Sequence, residues 1–246
     1  MSSETKPKVV VVMPAYNAAQ TLVKTYKAIP EGSCDAILLV DDASSDGTAA
    51  IARSLNLEVI EHPENRGYGA NQKTCYTHAL AMGADIVVML HPDYQYDPGI
   101  IPDLVEPIRR GDADVVLASR MLGDPLSGGM PAYKYIFNKT LTWIENKALG
   151  TSFSEFHTGY RAYNRRALES VNFLSNSDDF IFDNEIIVQF LDAKLRFKEI
   201  PVRTHYGEDS SSVGFVTSLR YGLGILRVIA AYSLHRRGIM KSPLFK

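Results

Sequence analysis

Cysteine is nearly absent from this chain of 246 residues. Cys34 and Cys75 stand far apart and form no CxxC pair. That argues against a disulfide framework and fits a reducing compartment. The start, MSSETKPK, lacks the apolar core of a signal peptide, and a cytoplasmic protein is the expectation. No internal repeat appears, and no linker is long enough to separate two domains. Acidic residues are missing after Asp209: the last 37 residues carry +6 from arginine and lysine, which leaves −8 on the rest of a chain with net charge −2. A basic end on an acidic body suits an anionic partner such as a membrane surface or a lipid phosphate, although a solvated tail has the same composition. Nucleic acid is not among the expected partners.

An unbroken membrane-spanning run is also missing. Val213–Leu234 has the length, at 22 mostly apolar residues, but Arg220 and Arg227 interrupt it. Each arginine costs roughly 2.5–3.5 kcal/mol near a bilayer centre. Gly222 and Gly224 weaken it further. The two arginines are seven apart and share a helical face, so an amphipathic helix is expected. It would lie on a membrane surface, cover the core, or pack against a second copy.

What is present is a rhythm. Apolar runs at Val9–Val12 (continuing into Met13 and Pro14), Ile37–Val40, Leu57–Ile60, Ile86–Leu90 and Asp114–Ala118 read as buried strands. Between them, Ala18–Ile29, Ala49–Leu55, a helix reaching about Met82, and Pro98–Arg110 read as helices, with Gly111 stopping the last. In SSDGT, Ser45 or Asp46 is the expected cap and Gly47 the turn. Strand and helix alternate, and parallel neighbours need crossover helices, so a doubly wound parallel sheet follows. After Ser119 the rhythm changes. MLGDPLSGGMP reads as a mobile loop, Tyr133–Leu149 and Asp183–Ala193 as helices, Thr158–Tyr163 as a short extended piece and Phe197–Val202 as a strand. TSFSEF and HYGEDSSS read as loops.

The chemistry concentrates in Val87–Pro98, VVMLHPDYQYDP, where an apolar strand runs into His91, Asp93, Gln95 and Asp97. Parallel sheets bind ligands at the carboxyl ends of their strands. Residues two apart in an extended segment point to one side, so His91, Asp93 and Gln95 can converge on one ion. A hard divalent cation with open positions there would carry a diphosphate. His91 reads nearly as well as an ordinary hydrogen-bonded loop histidine. Asp41 and Asp42 end the second strand; one can accept from a base or ribose while the other caps or orients the loop, or both are turn and capping aspartates. Arg66 and Lys73 could hold phosphate or base.

Taken in order, VVVVMPAYNAAQTL, LLVDDASSDGTA, NRGYGANQ and HPDYQYDP resemble family 2 glycosyltransferases of the GT-A fold. ASRM, GMPAYKYIFNK and HTGYRAYNRRAL extend the resemblance to the polyprenyl-phosphate sugar transferase branch, which includes dolichyl-phosphate mannose synthase. The resemblance covers about residues 8–212 and implies an α/β architecture: a mostly parallel GT-A nucleotide-binding sheet with flanking helices. A GT-A catalytic domain is expected over 1–212, and a C-terminal amphipathic basic helix and tail over 213–246.

By resemblance, Pro14, Ala15, Tyr16, Asp41 and Asp42 hold the nucleotide of a UDP- or GDP-linked sugar, with Lys73 on the following helix. Asp93 and Gln95, beside His91, take Mg²⁺ or Mn²⁺. Arg120 and Lys134 grip the phosphate of a polyprenyl acceptor, so that Asp93, Arg120 and Lys134 carry the catalysis. Arg161 is either structural or near that phosphate, and Asp183 and Glu185 fall in a helix facing the sugar. The chain departs from the family in having Ala18 and Ala19 where an acid usually follows PAYN, and His91 where the first acid of DxD stands. It also lacks the transmembrane pair of many relatives. The expected activity is inverting transfer of a hexose to a polyprenyl phosphate, at the inner face of a membrane. Transfer to a saccharide or lipid hydroxyl, with Asp183 or Glu185 as base, and a catalytically silent nucleotide-sugar binder are the alternatives. Homo-oligomerisation is left open.

Overall fold

The computed structural model describes residues 6–204 and 215–245. Seven strands form one sheet: β1 (Val9–Ala15), β2 (Ala36–Asp41), β3 (Glu58–Glu61), β4 (Ile86–Met89), β5 (Val115–Ser119), β6 (Arg161–Asn164) and β7 (Phe197–Pro201). Their order across it is β3-β2-β1-β4-β6-β5-β7. The first five strands and β7 run the same way, while β6 is antiparallel to both neighbours, β4 and β5. The expected parallel sheet is therefore a mostly parallel one.

The valine run of β1 explains why the sheet is covered on both faces. Val9, Val11 and Met13 enter one core with Ile101, Leu104 and Val105 of α4 (Ile101–Arg109). Val10 and Val12 enter the other, with Tyr76 of α3 (Tyr68–Ala81) and Phe182, Ile186 and Phe190 of α7 (Phe182–Asp192). Successive side chains point to opposite faces. A strand apolar at every position therefore needs two cores, and each buried valine contributes roughly 1.5–3 kcal/mol.

Where elements shift from expectation, local hydrogen bonds account for it. α1 (Leu22–Lys27) starts later than Ala18 because the backbone N–H groups of Ala18 and Ala19 donate to Thr48 Oγ1 and Asp46 Oδ2 instead. α2 (Thr48–Ser54) is capped by Gly47 itself, at φ +84°, not by Asp46 or Ser45; Asp46 reaches past it to accept from Thr48. Gly111 does end α4, at φ +72°. The sequence reading passes over α6 (Arg165–Ser170), whose cap is Asn164, with its side chain accepting from Ala167 N.

Beyond the sheet, α5 (Ala132–Leu149) and α8 (Phe215–Arg236) pack together. Ile225 and Ile229 of α8 bury against Leu141 of α5, and Val228 against Val188 of α7. The C-terminal helix thus covers the body. Arg220 and Arg227 lie on its exposed side with Leu223 and Leu226. Among the described residues no helix is long and apolar enough to cross a membrane. The expected loop HYGEDSSS lies outside the described residues.

Candidate active site

A cavity of about 1370 Å³ opens where the loops after β1, β2, β4 and β5 meet. The segment ahead of β6 joins them: because β6 runs the opposite way, the residues before it, His157 and Gly159, emerge at the same sheet edge. The cavity has an acidic side and a basic side.

On the acidic side, backbone and carboxylates lace three loops together. Asp41 accepts from Ser44 N at 3.0 Å and Ser44 Oγ at 2.5 Å. Ser44 Oγ in turn accepts from Asn17 N. Asp42 accepts from Arg66 N at 2.9 Å, Gly67 N at 3.0 Å and the buried His62 Nδ1 at 2.7 Å. Pro14, Ala15, Tyr16, Asp42 and Asp46 line the cavity, whereas Asp41 stands behind it as the residue that shapes the loop. Asp46 has its carboxyl held below the usual range: burial pushes it up, but the bonds from Thr48 and Ala19 outweigh that. Lys73 does not join this group. Its Nζ donates to Asn176 O and to Asp178 Oδ1, outside the cavity lining. Arg66 is exposed.

His91, Asp93 and Gln95 all line the cavity, but not by the geometry expected of an extended segment. Residues 92–94 form a turn, with Tyr94 at φ +54°, and Asp93 Oδ1 accepts from Gln95 N at 3.0 Å. Alternation along a strand does not apply through a turn. His91 is occupied otherwise. Its Nε2 lies 3.0 Å from Tyr68 Oη, and the two rings stack with centroids 5.5 Å apart. The Tyr68 hydroxyl donates to Asp183 Oδ2 at 2.7 Å. Burial, and then the charge of Asp183, push the Tyr68 pKa well up, so the phenol keeps its proton. The hydroxyl therefore accepts from His91 Nε2. A side chain at Gly159 would place Cβ 2.7 Å from His91 Nε2, which explains the glycine of HTGYR.

Among the described residues no three His, Cys, Asp or Glu side chains cluster to hold a metal ion. The donors suited to a hard cation here are the Asp93 carboxylate and the Gln95 amide. That set fits an ion of the magnesium type, which takes one or two carboxylates and completes its shell with water and substrate phosphates.

On the basic side, Arg120 follows β5. Its Nε donates to Glu155 Oε1 at 2.7 Å and its Nη2 to His157 O at 2.9 Å. Glu155 is fully buried and also accepts from Asn138 Nδ2 of α5 at 2.7 Å. Burial raises the Glu155 pKa, but the charge and hydrogen bonds of Arg120 outweigh it and keep the carboxylate ionised. Lys134 faces the same cavity from the first turn of α5. Burial, then the charge of Arg120, lower its pKa. Two cations, Arg120 and Lys134, thus face one cavity.

Beneath the cavity lies Arg161, fully buried. It donates to Thr158 O, Asp183 O and Asp183 Oδ1. Burial lowers its pKa and Asp183 more than restores it. Arg161 is structural: it ties β6 to α7 and does not line the cavity. Asp183 does line it, with its carboxylate already accepting from Tyr68, Gln72 and Arg161. Glu185 is turned away to Ser177 N at 2.6 Å, and its pKa is raised by burial.

Sequence reasoning missed Tyr68, Asn138, His157, Arg220 and Tyr221, all of them cavity residues. A signal existed on α5. Asn138, Leu141, Thr142 and Glu145 share its buried face, and an amide and an acid on a core stripe mark a polar site.

The comparisons agree with this architecture. The pattern of Glycosyl transferase family 2 matches residues 10–171, well over half of the chain. An uncharacterised protein of Methanocaldococcus jannaschii is 30% identical over 90% of this chain and 90% of its own. The UDP-N-acetylglucosamine–dolichyl-phosphate N-acetylglucosaminyltransferase of Methanococcus voltae is 26% identical, over 82% of this chain and 88% of that one. Among solved structures, glucosyl-3-phosphoglycerate synthase of Mycobacterium tuberculosis, in complex with Mn²⁺, UDP and glucosyl-3-phosphoglycerate, superposes with a TM-score of 0.69. The match covers 96% of this chain and 82% of that one at 19% identity, a likeness of fold alone. With that sheet, that cavity and that family pattern in one chain, the protein belongs to glycosyltransferase family 2 and has the GT-A fold.

Proposed function

We propose that the enzyme moves a hexose from a nucleotide sugar to the phosphate of a polyprenyl phosphate, with inversion at the sugar carbon. The observation that carries this reading is the pair Arg120 and Lys134 facing the same cavity as Asp42, Asp93 and Gln95. One end suits a metal-bound diphosphate and the other a phosphate monoester. The dolichyl-phosphate transferase of M. voltae and the polyprenol monophosphomannose synthase of Mycolicibacterium smegmatis, 25% identical over 79% of this chain, support it.

The chemistry follows from charge. An oxygen of the acceptor phosphate bonds to the anomeric carbon as the bond to the diphosphate oxygen breaks, and the nucleoside diphosphate leaves with the electron pair. The acceptor is already an anion, so no base has to take a proton. Arg120 and Lys134 hold that anion in line by charge-assisted hydrogen bonds. The loops fixed by Asp41 and Asp42 hold the nucleotide, and the stacked pair His91 and Tyr68 lines the same cavity. Mg²⁺ or Mn²⁺, held by Asp93 and Gln95, would neutralise charge on the departing diphosphate. A hydroxyl acceptor would need a base, and Asp183 is poorly suited to that: three donors already hold its carboxylate.

Peripheral contact with a membrane fits the same reading. Ile136 and Trp143 of α5 and Leu223 and Leu226 of α8 are exposed, interleaved with Lys139, Arg220 and Arg227. The decisive experiment offers labelled UDP- and GDP-sugars with Mg²⁺ or Mn²⁺ to undecaprenyl phosphate, dolichyl phosphate and the corresponding free alcohols. Transfer to the phosphates alone is expected. Transfer to an alcohol instead would overturn the proposal.

A further inference from the structure

The C-terminal helix does more than cover the body. Its first turns form a wall of the cavity, through Arg220, Tyr221 and Gly224. Two glycines let it come that close. A methyl group on Gly222 would sit 3.3 Å from Phe137 Cζ, and one on Gly224 would sit 3.0 Å from Ile181 Cδ1. Phe137 lies one turn after Lys134 on α5, so the approach of Gly222 brings the start of α8 beside the basic end of the cavity.

A buried polar chain anchors this turn. Tyr221 Oη stands 3.1 Å from His157 Nδ1, and the rings meet edge to face at 5.6 Å. His157 Nε2 lies 3.0 Å from Glu145 Oε2, an ion-pair distance that is off the line of a hydrogen bond. Glu145 is fully buried, and its other oxygen accepts from Asn184 Nδ2. The carbonyl of the same His157 accepts from Arg120. One residue therefore touches both the acceptor-side arginine and the helix that carries Arg220. Among the described residues Arg220 forms no ion pair with a carboxylate. An exposed arginine on a cavity wall, with no carboxylate partner among the described residues, is poised for an anion from outside.

We propose that Arg220 is a third cation of the acceptor-phosphate site, presented by α8 and positioned through Tyr221, His157 and Glu145. The inference rests on the reading of the acceptor as a prenyl phosphate. Arg220 touches the phosphate, and Tyr221 acts through it as a positioning residue. The site is then incomplete without a segment that follows the family-matched residues 10–171.

Calorimetric binding of farnesyl phosphate, with farnesol as the uncharged control, tests it on the full chain. Arg220→Ala is expected to weaken farnesyl phosphate binding roughly tenfold or more, the loss of one charge-assisted contact. Nucleotide binding and melting temperature should hold, and Arg220→Lys should recover most of the affinity. Tyr221→Phe should weaken farnesyl phosphate binding several-fold at constant nucleotide affinity, a selectivity that mere support of the fold would not give. Wild-type affinity in Arg220→Ala, or parallel loss of nucleotide and farnesyl phosphate binding with a lowered melting temperature, overturns the proposal. The two readings fail separately. If the wild type transfers sugar to polyprenyl phosphate and Arg220→Ala does so with an unchanged KM, only this inference falls. If the wild type binds farnesyl phosphate through Arg220 but transfers elsewhere, only the proposed acceptor falls. Absence of both binding and transfer in the wild type removes both.

Discussion

The two ends of the cavity are built in opposite ways. At the acidic end, carboxylates accept from backbone N–H groups of short loops: Asp41 from Ser44, Asp42 from Arg66 and Gly67, Asp46 from Ala19 and Thr48. At the basic end, side chain meets side chain across long stretches: Arg120 with Glu155, Glu145 with Asn184, His157 with Tyr221. A site shaped by main chain keeps its form when neighbouring side chains change. A site shaped by buried charges depends on every partner, because removing one leaves another uncompensated.

The largest expected effect joins the two ends. Arg161→Met leaves the Asp183 carboxylate without its buried cation, at a cost of about 3–5 kcal/mol. Thermal denaturation should show a fall on the order of 10 °C. An unchanged melting temperature would show that Asp183 is not held by charge.

Next in size, Asp93→Ala breaks the acidic end alone. Metal-dependent binding of the nucleotide sugar should weaken roughly a hundredfold or more, while farnesyl phosphate affinity is retained. Titrating Mn²⁺ against the variant checks this, and an unaltered metal requirement would reject Asp93 as a ligand.

Arg120→Ala is the mirror test at the basic end. Acceptor KM should rise roughly tenfold to a hundredfold with nucleotide affinity intact. It also strands Glu155, so stability should drop as well. Adding Glu155→Gln should restore the melting temperature but not acceptor use. Restoration of both would make Arg120 a partner of Glu155 and nothing more.

The smallest effect is one of pH. Lys134 has its pKa lowered by burial and by Arg120, and only its charged form binds an anion well. Acceptor affinity should therefore be full below that lowered pKa and decline as pH rises through it, a change of a few-fold. In Lys134→Arg the decline should vanish; acceptor KM measured against pH in both proteins decides the matter.

Much of this was legible in one dimension, and unevenly so. The runs Val9–Val12 and Ile86–Leu90 announced buried parallel strands, because only a strand covered on both faces is apolar at every step. The ligand-bearing ends of those strands followed, and Pro14–Tyr16, Asp42, Asp93 and Gln95 do line the cavity. The reading failed where a neighbour distant in sequence decides. His91 was aligned with Asp93 and Gln95 by spacing, yet a turn at 92–94 breaks that alternation and the His91 ring meets Tyr68. Lys73 was placed near phosphate and instead holds Asn176 and Asp178, a hundred residues on.

From the order of residues alone came the alternation of strands and helices, the class of sheet and the edge where chemistry gathers. These depend on local apolar period and turn chemistry, which a chain carries with it. Only three dimensions revealed that β6 runs backward and so delivers His157 to the cavity, that Arg161 lies beneath it, and that α8 folds over the body to bring Arg220 to the wall of the cavity that Lys134 also lines. Each of these rests on a buried contact between segments far apart in the chain. Such contacts form only when the whole core closes, so no local pattern records them.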